Sequence, residues 1–164
     1  MKLYIVGGAG SGKTTLAQNL SKKYNIPHFD LDELNWVNKN GHFYNERRDK
    51  TERAHLLSDI LKNNPHWVCE GVYFKDWINP ILEQADKVII LAPSKWLQHY
   101  RCLKRFINRK LKIEASAHKE TFLSFIKLCL WNHTYETACL PLLVKKLENA
   151  LIPFEIIKTQ PLPQ

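Results

Sequence analysis

Glycine and acidic residues are scarce in this 164-residue sequence, and it has no long apolar run. It holds six glycines, and 16 Asp and Glu stand against 24 Lys and Arg. No run reaches the ~18 apolar residues that a membrane span needs. The first residues, MKLYIVGG, have neither the apolar core nor the cleavage site of a signal peptide. We therefore expect a cytoplasmic protein without a membrane partner.

Patterns that bind structural metals or select guanine are also missing. The four cysteines (Cys69, Cys102, Cys129 and Cys139) show no CxxC spacing, and the seven histidines form no HExxH. We expect the cysteines to be small buried groups in a reducing compartment. A guanine-selecting run of NKxD type is absent too, which argues against a switch GTPase.

Short apolar runs alternate with amphipathic segments along a chain long enough for one domain, residues 1–164. The predicted strands are 3–6, 26–29, 67–69, 87–91 and 154–157. The predicted helices are 13–24, 46–61, one from residue 95, one over 120–135 and one over 142–149, with Pro141 as a boundary. Apolar strands separated by helices predict an α/β fold with a parallel sheet covered on both faces.

Four of the six glycines lie between Gly7 and Gly12, in the run GGAGSGKT. This run fits G-x-x-x-x-G-K-[ST] and stands between a predicted strand and a predicted helix, as a phosphate-binding loop does. The alternative is a glycine-rich turn that only caps the helix. The residues expected to bind ATP are Gly7, Gly8, Ala9, Gly10, Ser11, Gly12, Lys13, Thr14 and Thr15. Lys13 would contact the β- and γ-phosphates, and the Thr14 hydroxyl would coordinate Mg²⁺.

Acidic residues follow two of the predicted strands. Asp30 and Asp32 come after the second strand, and Glu70 ends the third. Ligands of open α/β sheets gather at the carboxyl ends of strands, so these three are candidate Mg²⁺ or acceptor ligands. In extended backbone Asp30 and Asp32 would share a face. The alternatives are that either aspartate caps a helical turn and that Glu70 is solvated.

The excess positive charge is concentrated in residues 93–164. Residues 93–164 hold 12 Lys and Arg against 5 Asp and Glu, and seven of the basic residues lie between residues 95 and 112. At helical spacing one side of this segment is an apolar stripe that we expect to pack on the sheet (Trp96, Tyr100, Leu103, Ile107 and Leu111). Arg101, Arg105 and Arg109 fall on the opposite side. They are consistent with a phosphate-clamping lid helix, a solvated basic face or a nucleic-acid footprint.

Several runs together resemble the adenylate-kinase-like P-loop kinases. They are GGAGSGKTTLAQNLS, IPHFDLDELNW, WVCEGVYFKDW and VIILAPSKWLQHYRCLKRFINRKL, and the stretch from Trp131 to Tyr135 adds to them. Within that superfamily the chain is most similar to the group labelled DNA topology modulation protein, or FlaR-related. The resemblance implies a five-stranded parallel sheet of order 2-3-1-4-5, ATP and Mg²⁺ as co-substrates, and phosphoryl transfer.

The chain departs from adenylate kinases in its arginines. Those enzymes place an Arg soon after the acid and glycine of the third strand, where this chain has Phe74 and Lys75. They also place arginines after the lid, whereas here no Arg follows Arg109, and residues 114–118 are too few for a large lid domain. These departures argue against AMP as the acceptor.

We therefore expect an ATP-dependent kinase of a small molecule, with an acceptor segment over about 31–64 and a short lid over about 101–119. The expected catalytic residues are Lys13, Asp32, Arg101 and Arg105. The acceptor would contact Asp30, Asp32, Glu70, Arg48 and Arg109, and Thr14 and Glu70 would serve the metal. The alternative is an ATP-binding regulator that acts on DNA or a protein partner without transferring phosphate.

Overall fold

The computed structural model describes residues 1–39, 42–111 and 122–158. In chain order its strands are β1 Lys2–Gly7, β2 His28–Asp30, β3 Trp36–Lys39, β4 His42–Arg47, β5 Trp67–Gly71, β6 Lys87–Leu91 and β7 Phe154–Ile157. The α-helices are α1 Lys13–Tyr24, α2 Leu31–Asn35, α3 Lys50–Asn63, α4 Asn79–Gln84, α5 Lys95–Lys110, α6 Phe122–Thr134 and α7 Leu140–Asn149.

Five of the strands form one parallel sheet in the order β2-β5-β1-β6-β7. Numbered among themselves in chain order, these strands have the expected order 2-3-1-4-5. Their register aligns Asp30 with Glu70, and Glu70 with Ile5 on the other side. The carboxyl ends of β2, β5 and β1 therefore meet at one edge, and the first acidic residues of the candidate site lie side by side there.

Alternate residues of β1 enter two different cores. Tyr4 and Val6 lie in a large cluster with residues of α3, α4 and α7. Leu3 and Ile5 point to the other face, where they pack with Ala17 of α1. Because successive side chains of a strand point to opposite faces, helices cover the sheet on both sides.

The segment after α2 differs from the expected helix over 46–61. β3 and β4 pair as an antiparallel hairpin in which Trp36 is opposite Arg47, so residues 46 and 47 belong to a strand. The helix begins at Lys50 because the Asp49 side chain accepts hydrogen bonds from the backbone N–H groups of Thr51 and Glu52. Leu57 and Leu61 of this helix are buried.

The boundary expected at Pro141 is also different. α6 continues through a π-helical segment, Tyr135–Cys139, directly into α7, which contains Pro141 in its first turn. Proline is tolerated there because the first turn of a helix leaves its N–H groups without intrahelical partners. No helix among the described residues is long and apolar enough to cross a membrane.

The largest correction concerns α5, which is turned opposite to expectation. The apolar stripe from Trp96 to Leu111 is exposed to solvent rather than packed on the sheet, and Trp96 is 87% exposed. The opposite face, which includes buried Gln98 and Cys102 and half-buried Arg101, faces the glycine-rich loop. Residues 112–119 of the expected lid lie outside the described residues.

Candidate active site

The loop between β1 and α1 has the backbone that its glycines permit. Gly10 and Gly12 have φ of 74° and 93°, values that other residues rarely adopt, and α1 begins at Lys13. A Cβ atom at Gly10 would lie 2.7 Å from the carbonyl oxygen of Gln98. Gly10 is therefore required both by the turn and by the close approach of α5.

Two buried amide side chains lie against the outer side of the loop, and one of them hydrogen-bonds to it. The Asn132 side chain accepts a hydrogen bond from the Ala9 N–H at 2.8 Å and donates one to the Ala9 carbonyl at 3.0 Å. Gln98 approaches the space beside Gly8 and donates hydrogen bonds to the Pro93 carbonyl and the Glu136 carboxylate. Helices α5 and α6 thus fix the outer side of the loop.

Glu70 is fully buried at the end of β5 and contacts the first turn of α1. The Thr14 hydroxyl donates a hydrogen bond to Glu70 Oε1 at 2.6 Å, and Lys13 Nζ lies 3.9 Å from Oε2. His28 Nε2 lies 3.7 Å from Oε1, beyond hydrogen-bond distance. The alternative of a solvated Glu70 is therefore wrong, since the carboxylate lies against the two loop residues predicted to handle phosphate and metal.

Burial and the partners of Glu70 have opposite effects on its pKa. Burial raises the pKa, whereas nearby His28, the Lys13 charge and the Thr14 hydroxyl lower it, and the net result is a pKa below the ordinary value. Glu70 is therefore a carboxylate at neutral pH, and Oε2 has no hydrogen-bond partner among the described residues.

Asp30 ends β2 directly beside Glu70. Burial and the negative charge of Glu70 raise the pKa of Asp30 to about 6. The Asp30 side chain accepts a hydrogen bond from the Asp32 N–H at 2.8 Å and caps α2. The capping alternative is thus confirmed for Asp30. The extended backbone expected between the two aspartates is wrong, because Asp32 lies in the first turn of α2.

Asp32 is held by a side chain from the loop after β5. The Tyr73 hydroxyl donates a hydrogen bond to Asp32 Oδ1 at 2.6 Å. The Tyr73 carbonyl in turn accepts a hydrogen bond from the Tyr4 hydroxyl at 2.7 Å. The Tyr73 ring packs edge to face against Trp77. Asp32 therefore has a defined position that depends on the core through Tyr73 and Tyr4.

The arginines of α5 lie on the side of the helix that faces the loop. Arg101 donates hydrogen bonds to the carbonyls of Ser11 at 3.2 Å and Gly10 at 3.4 Å. Arg105 and Arg109 are half-buried one and two turns further along. The structure thus brings Arg101 to the loop, and the catalytic and substrate roles of all three remain predictions.

The segment expected to bind the acceptor is fixed by its own cations. Arg48 donates hydrogen bonds to the carbonyl of Leu34 and to the carboxylate of Glu52. Arg53 donates to the Asn35 side chain and stacks over the Trp77 ring. These contacts tie the hairpin and α3 to α2, and the substrate role of Arg48 remains a prediction.

Sequence reasoning missed four side chains that contact the site: His28, Tyr73, Gln98 and Asn132. The signal for Asn132 was a polar amide directly after the largely apolar segment 122–131, and for Tyr73 a position three residues after Glu70. Neither signal identifies a partner. No group of three or more His, Cys, Asp or Glu side chains within the described ranges could hold a metal ion by itself.

Comparison with known proteins shows the fold. A solved shikimate kinase from Acinetobacter baumannii, in complex with shikimate, superposes with a TM-score of 0.61 at 21% identity, covering 98% of this chain and 84% of that chain. The chain therefore has the α/β P-loop kinase fold of that enzyme.

Sequence comparison finds more limited similarity. The uncharacterized protein YqaC of Bacillus subtilis strain 168 is 28% identical over 110 residues, 67% of this chain and 57% of YqaC. A shikimate kinase of Enterococcus faecalis is 32% identical over 68 residues, 37% of this chain and 40% of that enzyme. The chain spans less than two thirds of the length of either relative in these matches. No protein-family model matches the chain.

Proposed function

We propose that this protein transfers the γ-phosphoryl group of ATP to a hydroxyl group of a small molecule. The observation that carries the proposal is the contact of buried Glu70 with both Lys13 and Thr14, beside Asp30 at the end of β2. A mere capping turn needs no buried carboxylate against its lysine and threonine. A kinase does, because charge at the phosphates and metal must be balanced inside the site.

The residues present fit Mg²⁺ and ATP. The Thr14 hydroxyl donates its hydrogen bond to Glu70 Oε1, which leaves the lone pairs of the hydroxyl oxygen for a cation. Glu70 Oε2 is a buried oxygen without a hydrogen-bond partner among the described residues. Magnesium favours such oxygen ligands and keeps several waters and phosphate oxygens, so a dedicated protein cage is not needed. When bound, the ion neutralises charge on the phosphates. Lys13 and the loop backbone would bind the phosphates themselves.

Asp32 supports a hydroxyl acceptor. A hydroxyl nucleophile needs its proton removed, whereas a phosphate acceptor is already ionised. The Tyr73 hydroxyl donates a hydrogen bond to Asp32 Oδ1, while Asp30 caps the helix in which Asp32 lies. Asp32 would accept the proton, and Arg101 and Arg105 would stabilise charge on the phosphoryl group in transit.

The structural neighbour and one of the sequence relatives support phosphoryl transfer to a small molecule. The Acinetobacter enzyme is a shikimate kinase in complex with shikimate, and a second shikimate kinase is among the sequence relatives. We infer a hydroxylated metabolite as the acceptor class for this chain and include shikimate among the candidates. Membership of the DNA topology modulation group remains a prediction from resemblance, and the cytoplasmic location remains a prediction from the composition and the first residues of the sequence.

The test is ATP turnover measured as ADP release, with Mg²⁺ and a panel of shikimate, other polyols, nucleosides and nucleoside monophosphates. We expect release that depends on a hydroxyl compound and is lost in Asp32→Asn. Release only with nucleoside monophosphates would overturn the hydroxyl assignment. Tight ATP binding without release for any acceptor, together with salt-sensitive DNA binding, would favour the regulatory alternative.

A further inference from the structure

Helices α5 and α6 expose a row of large apolar side chains. On α5 these are Trp96, Tyr100, Leu103, Ile107 and Leu111, and on α6 they are Phe122, Leu123, Ile126 and Leu130. Trp96 is 87% exposed, Leu130 65% and Leu111 64%. A contiguous apolar surface of this kind marks an interaction site. We call these nine residues the outer surface.

The two rows face the same side of the molecule. α5 and α6 run antiparallel, since Lys95 contacts His133 at one end and Phe106 contacts Phe125 nearer the other. At ~100° per residue, the exposed row of α5 lies roughly a quarter turn around the helix from Phe106, and that of α6 lies roughly a quarter turn from Phe125. The rotation has the same sense when each helix is followed from its N-terminus. Because the two helices are antiparallel and meet at these two rings, both rows lie on the same side and form a single surface.

The charged side chains that the described residues of α5 and α6 contribute are all positive. Lys95, Lys104 and Lys110 on α5 and Lys127 on α6 are exposed, and the described residues of both helices include no Asp or Glu. At ~100° per residue, Lys104 and Lys110 lie roughly 60° to either side of the row on α5. Aromatic and aliphatic residues flanked by lysines are typical of a helix that lies in the headgroup region of a membrane.

We propose that the outer surface binds the face of an anionic lipid bilayer. A second copy of this chain would set the lysines of one molecule against those of the other, which charge opposes. Nucleic acid would satisfy the lysines but would leave Leu103, Ile107 and Leu130 unburied. An anionic bilayer accepts both components, because its headgroups attract lysine while its acyl boundary buries the apolar row.

Binding by this surface leaves the candidate active site open. The opposite face of α5 carries Arg101, which donates to the loop carbonyls of Gly10 and Ser11. The lipid contact would therefore attach the protein peripherally without using the loop. It requires no helix that spans the bilayer, and it replaces the expectation from the sequence that the protein has no membrane partner. It stands independently of the proposed phosphoryl transfer.

The test is co-sedimentation of the full chain with phosphatidylcholine vesicles prepared with and without phosphatidylglycerol. We expect binding only with phosphatidylglycerol. Lys104→Glu with Lys110→Glu should weaken it roughly tenfold or more, because each lysine near an anionic surface is favourable. Trp96→Ser with Ile107→Ser should weaken it similarly. Far-UV circular dichroism should be unchanged in both, since all four side chains are exposed.

Matched controls lie on α1, where Lys22, Lys23 and Tyr24 are exposed. Lys22→Glu with Lys23→Glu makes the same change in net charge and should retain binding, as should Tyr24→Ser. An equal loss of vesicle binding in the α1 and α5 charge variants would show that binding depends only on net charge, and this would overturn the proposal. So would failure to bind any vesicle, a dimer in solution that Trp96→Ser dissociates, or DNA binding that depends on the lysines but not on Trp96.

Discussion

Asn132 and Ala9 are joined by two hydrogen bonds, although 123 residues separate them in the chain. The amide of Asn132 satisfies both backbone polar groups of Ala9 from a buried position on α6. A P-loop needs its backbone N–H groups held in one arrangement before phosphate arrives, because ordering them on binding would cost affinity. α6 therefore helps to fix the backbone of the predicted phosphate-binding loop.

Asn132→Asp tests this contribution. The aspartate keeps the acceptor for the Ala9 N–H but opposes the Ala9 carbonyl and adds negative charge beside the loop. We expect the Kd for ATP to rise about tenfold or more and stability to fall by about 1–3 kcal/mol. Titration calorimetry and urea unfolding measure these changes. His133→Ala, at the exposed neighbouring position, should change neither, and an unaltered Kd in Asn132→Asp would contradict a positioning role.

Lys13→Ala should abolish turnover and weaken ATP binding while leaving the fold intact. The change removes a phosphate-binding charge and one of the partners of buried Glu70. A loss of roughly 1 kcal/mol in stability is expected, because the carboxylate keeps the Thr14 hydrogen bond. Circular dichroism and nucleotide titration check this, with exposed Lys22→Ala on α1 as the control. Normal ATP affinity and hydrolysis in Lys13→Ala would remove the basis for nucleotide binding.

Asp32→Asn should bind ATP as the native protein does and lose phosphoryl transfer, whereas Asp30→Asn should lose less. Tyr73→Phe removes the hydroxyl that holds Asp32 and should lower kcat by roughly tenfold or more, with a smaller effect on the KM for ATP. The pH dependence of kcat distinguishes this from general destabilisation, since only a displaced base shifts the profile. Full activity in Asp32→Asn would remove Asp32 from the base role.

Arg101→Ala and Arg105→Ala should reduce kcat by as much as ~10³-fold, because arginines at such sites stabilise charge on the transferring phosphoryl group. Arg101→Ala should in addition loosen the loop, whose Gly10 and Ser11 carbonyls it contacts. Lys104→Ala, outside that face, is the matched control and should retain kcat. Variants that keep the full rate but lose affinity for DNA would indicate a nucleic-acid surface instead.

Asp30 should make stability depend on pH. The pKa of Asp30 is raised from 3.8 to about 6, so the folded state binds this proton more tightly than the unfolded state. The resulting stabilisation is present below pH 3.8 and is lost as the pH rises through about 6. Asp30→Asn keeps the acceptor for the Asp32 N–H but cannot ionise. It should gain on the order of 1–2 kcal/mol relative to the native protein between about pH 4 and pH 7.

Urea unfolding of the native protein and Asp30→Asn at several pH values measures that difference. Glu70, whose pKa is lowered, has the opposite sign, and comparing the two proteins cancels most of its contribution. A difference in unfolding free energy that does not change with pH would show that Asp30 has no raised pKa in the folded state.

Local patterns in the sequence determined the loop, the sheet and the helix that follows the loop. The motif from Gly7 to Thr14 needs only adjacent residues, and each strand of the sheet is a short apolar run bounded by turns or charges. Hydrophobic burial requires such runs to form the centre of the protein whatever surrounds them. Because strand ends also follow from local patterns in the sequence, Asp30 and Glu70 could be placed at strand ends.

Tertiary contacts decided how α5 is turned, how Asp32 is held and where the acceptor segment folds. An amphipathic pattern shows that a helix has two faces but not which face meets the protein. On α5 the inward face is the polar one, because Arg101 and Gln98 find carbonyl partners on the loop and at Pro93. The loop carbonyls that Arg101 contacts are distant from it in the sequence, and Tyr73 is likewise distant from Asp32. Only the folded backbone brings such groups within hydrogen-bond distance. The pattern of residue types along the sequence does not indicate which distant groups will meet.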